Sequence, residues 1–282
     1  MVSIVITAYN VEKWIEQAVK SACRQTYSKL EIIVVEDCST DNTRQVLSGI
    51  RDRRVKVIYN PCNIGAGASR RRGIEAANGE YILLLDGDDW LEKDFIEKAY
   101  RKAVESGADI VGGGIRIVNN DGSWDATSYG ERTVTGKEKI VEFQNERILF
   151  MNNKLVHRKL HEAVPYCTRR FIEDTPVIIS QIYLANKVAY IDTIGYNYRM
   201  HDDSLTHKAS RFKYALFRAL CLDDIIEFFE KNGNVMPEEL ELSTGYANCI
   251  QEIKQCSPTA KDIEPYLNEW IEFTTKLIKR LV

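Results

Sequence analysis

Residues 81–90 read YILLLDGDDW, and this stretch predicts the fold of the chain. Its first five residues form a continuous apolar and aromatic run shortly after Gly79, as expected for a strand that is buried on both faces of a parallel sheet. The run ends abruptly, and three carboxylates, Asp86, Asp88 and Asp89, follow within four residues. Open α/β sheets bind ligands at the carboxyl ends of their strands. The stretch therefore predicts a central strand with a ligand site at its end.

The three carboxylates point to a bound cation. Negative charges this close together repel each other unless a cation or a proton separates them. Oxygen ligands favour Mg2+ or Mn2+ over zinc, so we expect Mn2+ or Mg2+ as the cofactor. The structural alternative is a solvated turn whose aspartates cap the following helix.

The sequence on both sides of this stretch alternates between strand and helix patterns. Apolar and β-branched runs predict strands at 2–7, 31–35, 55–59 and 81–85. A helix is predicted after each run; after the first run the apolar residues are spaced three and four apart, which is typical of a helix with one buried stripe, and Gly79 is predicted to cap the third helix. Four such repeats predict an α/β fold with a Rossmann-like, doubly wound, mostly parallel sheet. Beyond residue 111 we predict a helix over 135–150, a helix from Glu173, late strands at 187–191 and 196–199, and helices from Lys208 onward.

Composition and charge limit the functional classes. The chain has 282 residues and a formal net charge of -3, which argues against binding nucleic acid by bulk electrostatics. No apolar run approaches the ~20 residues that span a bilayer, and the amino terminus enters a strand without a signal peptide. The seven cysteines include no CxxC pair, which indicates reduced thiols in a cytosolic protein rather than a zinc site. We therefore expect a cytoplasmic protein.

Further candidate residues follow the other predicted strands. Asp37 comes directly after the second strand, where it can accept a hydrogen bond from a base or a ribose, or cap the next helix. Tyr9 offers a ring for base stacking, or it only closes the sheet edge. Arg70 is the first of three consecutive arginines that could bind phosphate, but neighbours on a helix point about 100° apart, so at most two reach one site. No GxGxxG follows the first strand, which argues against an NAD enzyme.

Two histidines, His157 and His161, are four residues apart and could ligate a metal from one face of a helix. No third ligand pattern lies nearby in the sequence. We therefore interpret both as surface histidines.

Several motifs together resemble one family. Segments 2–10, 34–43 (VVEDCSTDNT), 65–79 and 84–90 (LLDGDDW) occur in the order and spacing of family 2 glycosyltransferases of the GT-A fold. The later motifs NKL at 153–155, FIED at 171–174 and YRMH at 198–201, with Ser204 and Thr206, agree. The resemblance covers roughly residues 1–207, and the combination is far more specific than a DxD triplet alone.

The resemblance implies a role for each matching residue. Asp37 would bind the base of a sugar nucleotide, Asp86 the ribose or sugar, and Asp174 would be the catalytic base, although a plain helix N-terminal charge is the alternative for Asp174. The resemblance implies two metal ligands, Asp88 and His201, with His201 near the diphosphate, and one catalytic residue, Asp174. The donor-binding residues that it implies are Ala8, Tyr9, Asp37, Arg70, Asp86 and Arg199.

Three positions depart from the family pattern. Glu36 stands where aspartate is commoner, Arg71 replaces a usual asparagine, and 175–176 (Thr-Pro) follow the Glu-Asp pair where another acidic or polar residue is usual. None of these changes removes a residue that the chemistry requires.

The resemblance implies an inverting, metal-dependent glycosyltransferase in polysaccharide or glycoconjugate biosynthesis. Its partners would be a nucleotide-sugar donor, most simply a UDP-sugar, and a saccharide or glycolipid acceptor. The two alternative hypotheses for the function are a sugar nucleotidyltransferase and a non-catalytic sugar-nucleotide-binding module. We assign 1–207 to the GT-A domain, with 1–118 as the nucleotide-sugar half and 119–207 as the acceptor half, and 208–282 to a helical extension. These helices could support a homodimer, or peripheral contact with the inner face of a membrane.

Overall fold

The computed structural model describes residues 1–136, 138–141, 150–164, 166, 171–172, 174–202, 210–231 and 242–281. Ten strands in this part form one sheet: β1 Val2–Ala8, β2 Leu30–Glu36, β3 Val55–Tyr59, β4 Tyr81–Asp86, β5 Trp90–Leu91, β6 Ile110–Val118, β7 Trp124–Thr127, β8 Arg132–Thr135, β9 Lys154–His157 and β10 Lys187–Arg199. The α-helices are α1 Ile15–Cys23, α2 Thr43–Ser48, α3 Ala66–Ala76, α4 Phe95–Ser106, α5 Glu138–Val141, α6 Arg158–Ala163, α7 Asp174–Leu184, α8 Arg211–Lys231, α9 Leu242–Cys256, α10 Ala260–Ile263 and α11 Leu267–Leu281.

The strand order places the two halves of the chain in a single sheet. It reads β3-β2-β1-β4-β9-β6-β10-β5, with β7 paired to β6 and β8 to β10. Strands β1 to β4 pair in parallel, as do β6 and β10, whereas β9 is antiparallel to both β4 and β6. The predicted α/β, doubly wound fold is confirmed, with parallel pairing in the first four strands and mixed pairing beyond β4.

Helices cover both faces of the parallel strands, which explains their unbroken apolar sequences. Ile4 packs in one cluster with Phe95 of α4. Its neighbour Val5 packs in a second cluster with Ile74 of α3 and Val177 of α7. Since successive side chains of a strand point to opposite faces, both sets must be apolar.

The prediction that Gly79 caps α3 is wrong, because the helix ends at Ala76 and its C-cap residue is Ala77. Its N–H instead donates to Oγ of Ser3 at 2.8 Å. A Cβ at this position would lie 2.5 Å from the backbone nitrogen of Ser3. The glycine therefore permits close approach to β1.

The two late strands predicted at 187–191 and 196–199 are one strand, β10. Its register with β6 shifts between Tyr190 and Tyr196, and this irregularity accounts for the apparent break in the sequence pattern. The four residues of β9 were not predicted as a strand.

The C-terminal helices pack together in one hydrophobic cluster, which confirms the predicted helical region. Phe212 of α8 and Phe273 of α11 are buried in it, together with Phe171. Among the described residues, no helix combines the length and apolar composition needed to cross a membrane. The predicted boundary at 207/208 falls outside the described residues, as do Glu173, Ser204, Thr206 and 142–149 of the predicted helix over 135–150.

His161 is buried, so its interpretation as a surface residue is wrong. Its Nδ1 atom lies 2.6 Å from the hydroxyl of Tyr166 and 3.1 Å from Nε2 of Gln181, which joins α6 to α7. His157 is partly exposed at the start of α6, where its Nδ1 accepts the N–H of Lys159. Burial lowers the pKa of His161 to about 3.

The buried His161 should make the unfolding free energy depend on pH. Between pH 6.5 and 3 the unfolded chain gains a proton on this ring that the folded protein excludes, so acid favours unfolding. We expect stability to be complete above pH 6.5 and to fall toward pH 4 with a contribution of up to ~1.4 kcal/mol per pH unit from this group. Urea titrations of the wild type and His161→Gln should show a flatter pH dependence in the variant. Parallel curves would contradict this assignment.

Candidate active site

The carboxyl ends of the parallel strands bring the predicted site residues to one edge of the sheet. Thr7 of β1 is the register partner of Asp86 on β4, and Ala8 is the partner of Glu36 on β2. Asp37 follows directly, and its N–H donates to the carbonyl of Ala8 at 2.8 Å. The sheet itself therefore places the two aspartates on either side of β1.

Asp37 is buried and organises the loop that leads into α3. Its carboxylate accepts hydrogen bonds from the side chain of Asn60 at 2.7 Å and from the N–H groups of Ile64 and Gly65, each at 2.9 Å. These three hydrogen bonds fix the orientation of the carboxylate at the end of β2. Tyr9 lies at the end of β1 with 45% of its surface exposed, as a stacking ring requires.

Asp86 is held from both sides. One carboxylate oxygen accepts from Nη2 of Arg70 at 2.9 Å and from the hydroxyl of Thr7 at 3.2 Å. The other accepts from Nδ2 of Asn152 at 2.6 Å. These bonds fix the carboxylate, which is still a quarter exposed. Sequence reasoning did not single out Asn152, which precedes the NKL motif.

Only the first of the three consecutive arginines contacts Asp86. Arg71 pairs with Glu75 on the surface of α3 at 2.9 Å, and Arg72 donates to Oδ1 of Asn60. The prediction that at most two of them could serve one site is consistent with this arrangement. Arg70, with its side chain 9% exposed, is the one of the three that pairs with Asp86.

Asp88 and His201 form a pair at the rim. Oδ2 of Asp88 lies 2.9 Å from Nε2 of His201, and the imidazole packs against Trp14 with ring centres 4.1 Å apart. Arg199 adds a cation here, because its Nε donates to the carbonyl of Asp88 at 2.9 Å and its guanidinium lies 4.6 Å from the ring centre of Trp90. Burial lowers the pKa of Arg199.

Asp89 has a different role from its two neighbours. It is buried, and it accepts from the hydroxyl of Tyr196 at 2.5 Å and from the N–H of Arg199 at 2.7 Å. Burial, with Asp88 and Asp86 nearby, raises its pKa well above the usual range, and burial likewise raises that of Tyr196. These bonds fasten the end of β10 to the turn after β4, so that Arg199 lies beside Asp88.

Comparison with known proteins identifies the family. The family model described as Glycosyl transferase family 2 matches residues 3–165, more than half of the chain. The chain belongs to glycosyl transferase family 2. It is 29% identical over 277 residues to the glycosyltransferase GlyG of Streptococcus pneumoniae, covering 90% of this chain and 88% of GlyG.

Relatives of this glycosyltransferase differ in length and in name. The succinoglycan biosynthesis protein ExoO of Rhizobium meliloti is 29% identical, covering 73% of this chain and 62% of ExoO. The chain spans 33% of a second pneumococcal glycosyltransferase. The crystal structure of residues 1–349 of S. aureus TarS in complex with UDP-GlcNAc superimposes with a TM-score of 0.69 at 21% identity, covering 96% of this chain and 80% of that one. This likeness confirms the GT-A fold.

Asp174 of the glycosyltransferase opens α7, as predicted. One of its oxygens accepts the N–H of Thr175 at 2.9 Å. Within the described part of the chain, no hydrogen bond or ion pair links it to Asp86 or Asp88. Helix α7 nevertheless approaches the site, because its Val177 packs in one cluster with Met151, the neighbour of Asn152, which donates to Asp86. The catalytic role of Asp174 stays a prediction.

The residues at the rim fit a divalent cation that draws further ligands from a substrate. Among the described residues, no group of three histidine, cysteine or acidic side chains is arranged to hold a metal by itself. Oδ2 of Asp88 and Nε2 of His201 are hydrogen-bonded at 2.9 Å, and with the imidazole neutral each atom would have a lone pair for such an ion in place of this bond. Such ions commonly take one or two protein ligands plus phosphate oxygens and water.

Proposed function

We propose that this glycosyltransferase moves a sugar from a UDP-sugar to a hydroxyl of a saccharide or glycolipid acceptor, with inversion and with Mn2+ or Mg2+. The observation that carries the proposal is the convergence of Asp86, the Asp88–His201 pair and Arg199 at one sheet edge. The UDP-GlcNAc complex of TarS and the naming of ExoO for succinoglycan biosynthesis support a nucleotide-sugar donor and a place in polysaccharide or glycoconjugate assembly.

Hydrogen bonds already fix the two aspartates on the donor side of the site. Asp37 would accept the N–H of the base, while Tyr9 would stack on it. Asp86, clamped by Arg70 and Asn152, would present acceptor oxygens to ribose or sugar hydroxyls without first losing rotational freedom. A cation held by Asp88 and His201 would neutralise charge on the leaving diphosphate.

The transfer step needs a base on the acceptor side, and we assign it to Asp174. Its carboxylate would take the proton of the acceptor hydroxyl as that oxygen bonds to the anomeric carbon. The bond from this carbon to the diphosphate breaks at the same time, and the nucleoside diphosphate leaves with the electron pair. A single displacement of this kind inverts the anomeric centre.

Incubation with UDP-, GDP- and CDP-sugars in Mn2+, without an acceptor, tests the proposed function. Slow release of nucleoside diphosphate supports glycosyl transfer. Release of pyrophosphate in a reaction that includes a nucleoside triphosphate and a sugar phosphate supports the nucleotidyltransferase alternative. Tight binding with no product supports a non-catalytic module.

UDP should compete for the donor site better than CDP. The N3–H group of uracil can donate a hydrogen bond to the carboxylate of Asp37, whereas N3 of cytosine is itself an acceptor. A hydrogen bond to a charged group contributes ~1.5–3 kcal/mol, so we expect a preference of roughly 10- to 100-fold. Calorimetric titration of both nucleotides in the same Mn2+ buffer measures it. Equal affinities would mean that Asp37 only anchors the 60–65 loop.

A further inference from the structure

Four adjacent strands beside the donor site present one side chain each on a shared face of the sheet. Asn197 of β10 is the register partner of Trp90 on β5 and of Arg116 on β6. Trp124 of β7 pairs with Val118, two residues beyond Arg116. Register partners, and residues two apart on a strand, point to the same face. The result is a row of two indoles with an arginine and an asparagine between them.

The polar groups of this row are fixed in place. Nη1 of Arg116 donates to Oε1 of Glu92 and to Oδ1 of Asn197, both at 2.7 Å. The guanidinium of Arg116 also lies 5.2 Å from the ring centre of Trp124. Trp124 is thereby supported from one side, while 62% of its surface remains exposed. An exposed indole next to anchored polar groups is an arrangement suited to binding.

The row is continuous with the donor site. Arg199, which contacts the carbonyl of Asp88, is the register partner of Val118, and Val118 is the partner of Trp124. Two strand spacings separate these positions, or ~10 Å. The turn of the β6–β7 hairpin is tied to the same region, since Nδ2 of Asn120 donates to Asp202, the neighbour of His201, at 3.1 Å.

The chemistry of the row matches a saccharide. The C–H faces of a pyranose ring carry partial positive charge, and the π-face of an indole is negative. Arg116 and Glu92 offer donors and an acceptor at the ring edges, where sugar hydroxyls lie. We propose that Trp124, Arg116 and Glu92 form a platform that binds the acceptor saccharide next to the donor site. This assignment of the occupant as the acceptor rests on the proposed function.

Saccharide binding without donor turnover tests the platform separately from the proposed function. Saturation-transfer NMR with cellobiose, lactose and N,N′-diacetylchitobiose would be compared for the wild type, Trp124→Ala, Trp124→Phe and Val104→Ala. Val104, on α4, is also 62% exposed and serves as the matched control. Melting temperatures check that each variant is folded.

We expect at least one disaccharide to bind the wild type and Val104→Ala equally. Trp124→Ala should weaken that binding roughly 5- to 50-fold, as loss of a central aromatic anchor does. Trp124→Phe should retain most of it, because stacking survives. No binding to the wild type, or equal binding to Trp124→Ala, would overturn the platform. Failure of the sugar-nucleotide assay alone would overturn only the proposed function.

Discussion

Replacement of Asp88 by asparagine is expected to lower the metal-supported affinity for UDP by roughly 100-fold or more. This is a lower bound, because removing a residue that only hydrogen-bonds to a metal ligand already lowers metal affinity or activity 10- to 100-fold. Removing a ligand itself should cost at least as much. Asp88 is partly exposed and hydrogen-bonded to His201, and asparagine keeps its size and one acceptor oxygen, so the fold should persist. Calorimetric titration of UDP with and without Mn2+ measures the effect.

Two controls accompany the Asp88 experiment. Wild-type protein in EDTA should bind UDP as weakly as the variant does in Mn2+. Asp94→Asn removes a nearby exposed carboxylate that pairs with Lys98, and it should bind UDP as the wild type does. If Asp88→Asn responds to Mn2+ as strongly as the wild type, the metal is not held at this position.

Replacement of Asp174 by asparagine should separate chemistry from binding. Asparagine preserves the size of the side chain and its acceptor for the N–H of Thr175, but it cannot take a proton. We expect UDP-sugar affinity to survive while transfer falls by roughly the 10²–10⁴-fold that general-base catalysis supplies. Single-turnover transfer to a disaccharide acceptor, normalised to folded protein, measures this.

A structural role for Asp174 would give the opposite pattern. Loss of a helix N-terminal charge lowers the melting temperature and leaves turnover per folded molecule almost intact. Glu97→Gln, which removes an acidic residue from the first turn of α4, is the matched control for such a stability effect. A variant that is less stable yet fully active would exclude Asp174 as the base.

The cluster of aspartates at the carboxyl ends of the parallel strands could be predicted from the sequence, because it depends on local patterns. Apolar runs ending in polar residues define the strands, and parallel strands expose their carboxyl ends together. This placed Asp37, Asp86 and Asp88 at one rim, as the structure shows. The assignment of His201 to the same metal site as Asp88 came from the family resemblance, and the contact between the two side chains was not predicted.

The roles decided by distant contacts could not be predicted. Asp89 differs from Asp86 and Asp88 through its burial and through hydrogen bonds from the distant Tyr196 hydroxyl and Arg199 N–H. The N–H groups that donate hydrogen bonds to Asp37 come from the loop after β3, and His161 is covered by α7, whose Gln181 contacts it. Strand β9 has four residues and no distinctive periodicity, so its position in the sheet is fixed by its partners.

The insertion of β9 between β4 and β6 has a consequence during synthesis on the ribosome. A nascent chain that has emerged only as far as residue 118 contains β4 and β6 but not the strand that separates them. Both strands then carry open backbone edges, which invite pairing with other chains. The ~40 residues up to His157 take roughly 2–8 s to translate at 5–20 residues per second. Residues 1–118 can therefore complete their part of the sheet only after β9 has been made, and a fragment ending at residue 118 should aggregate.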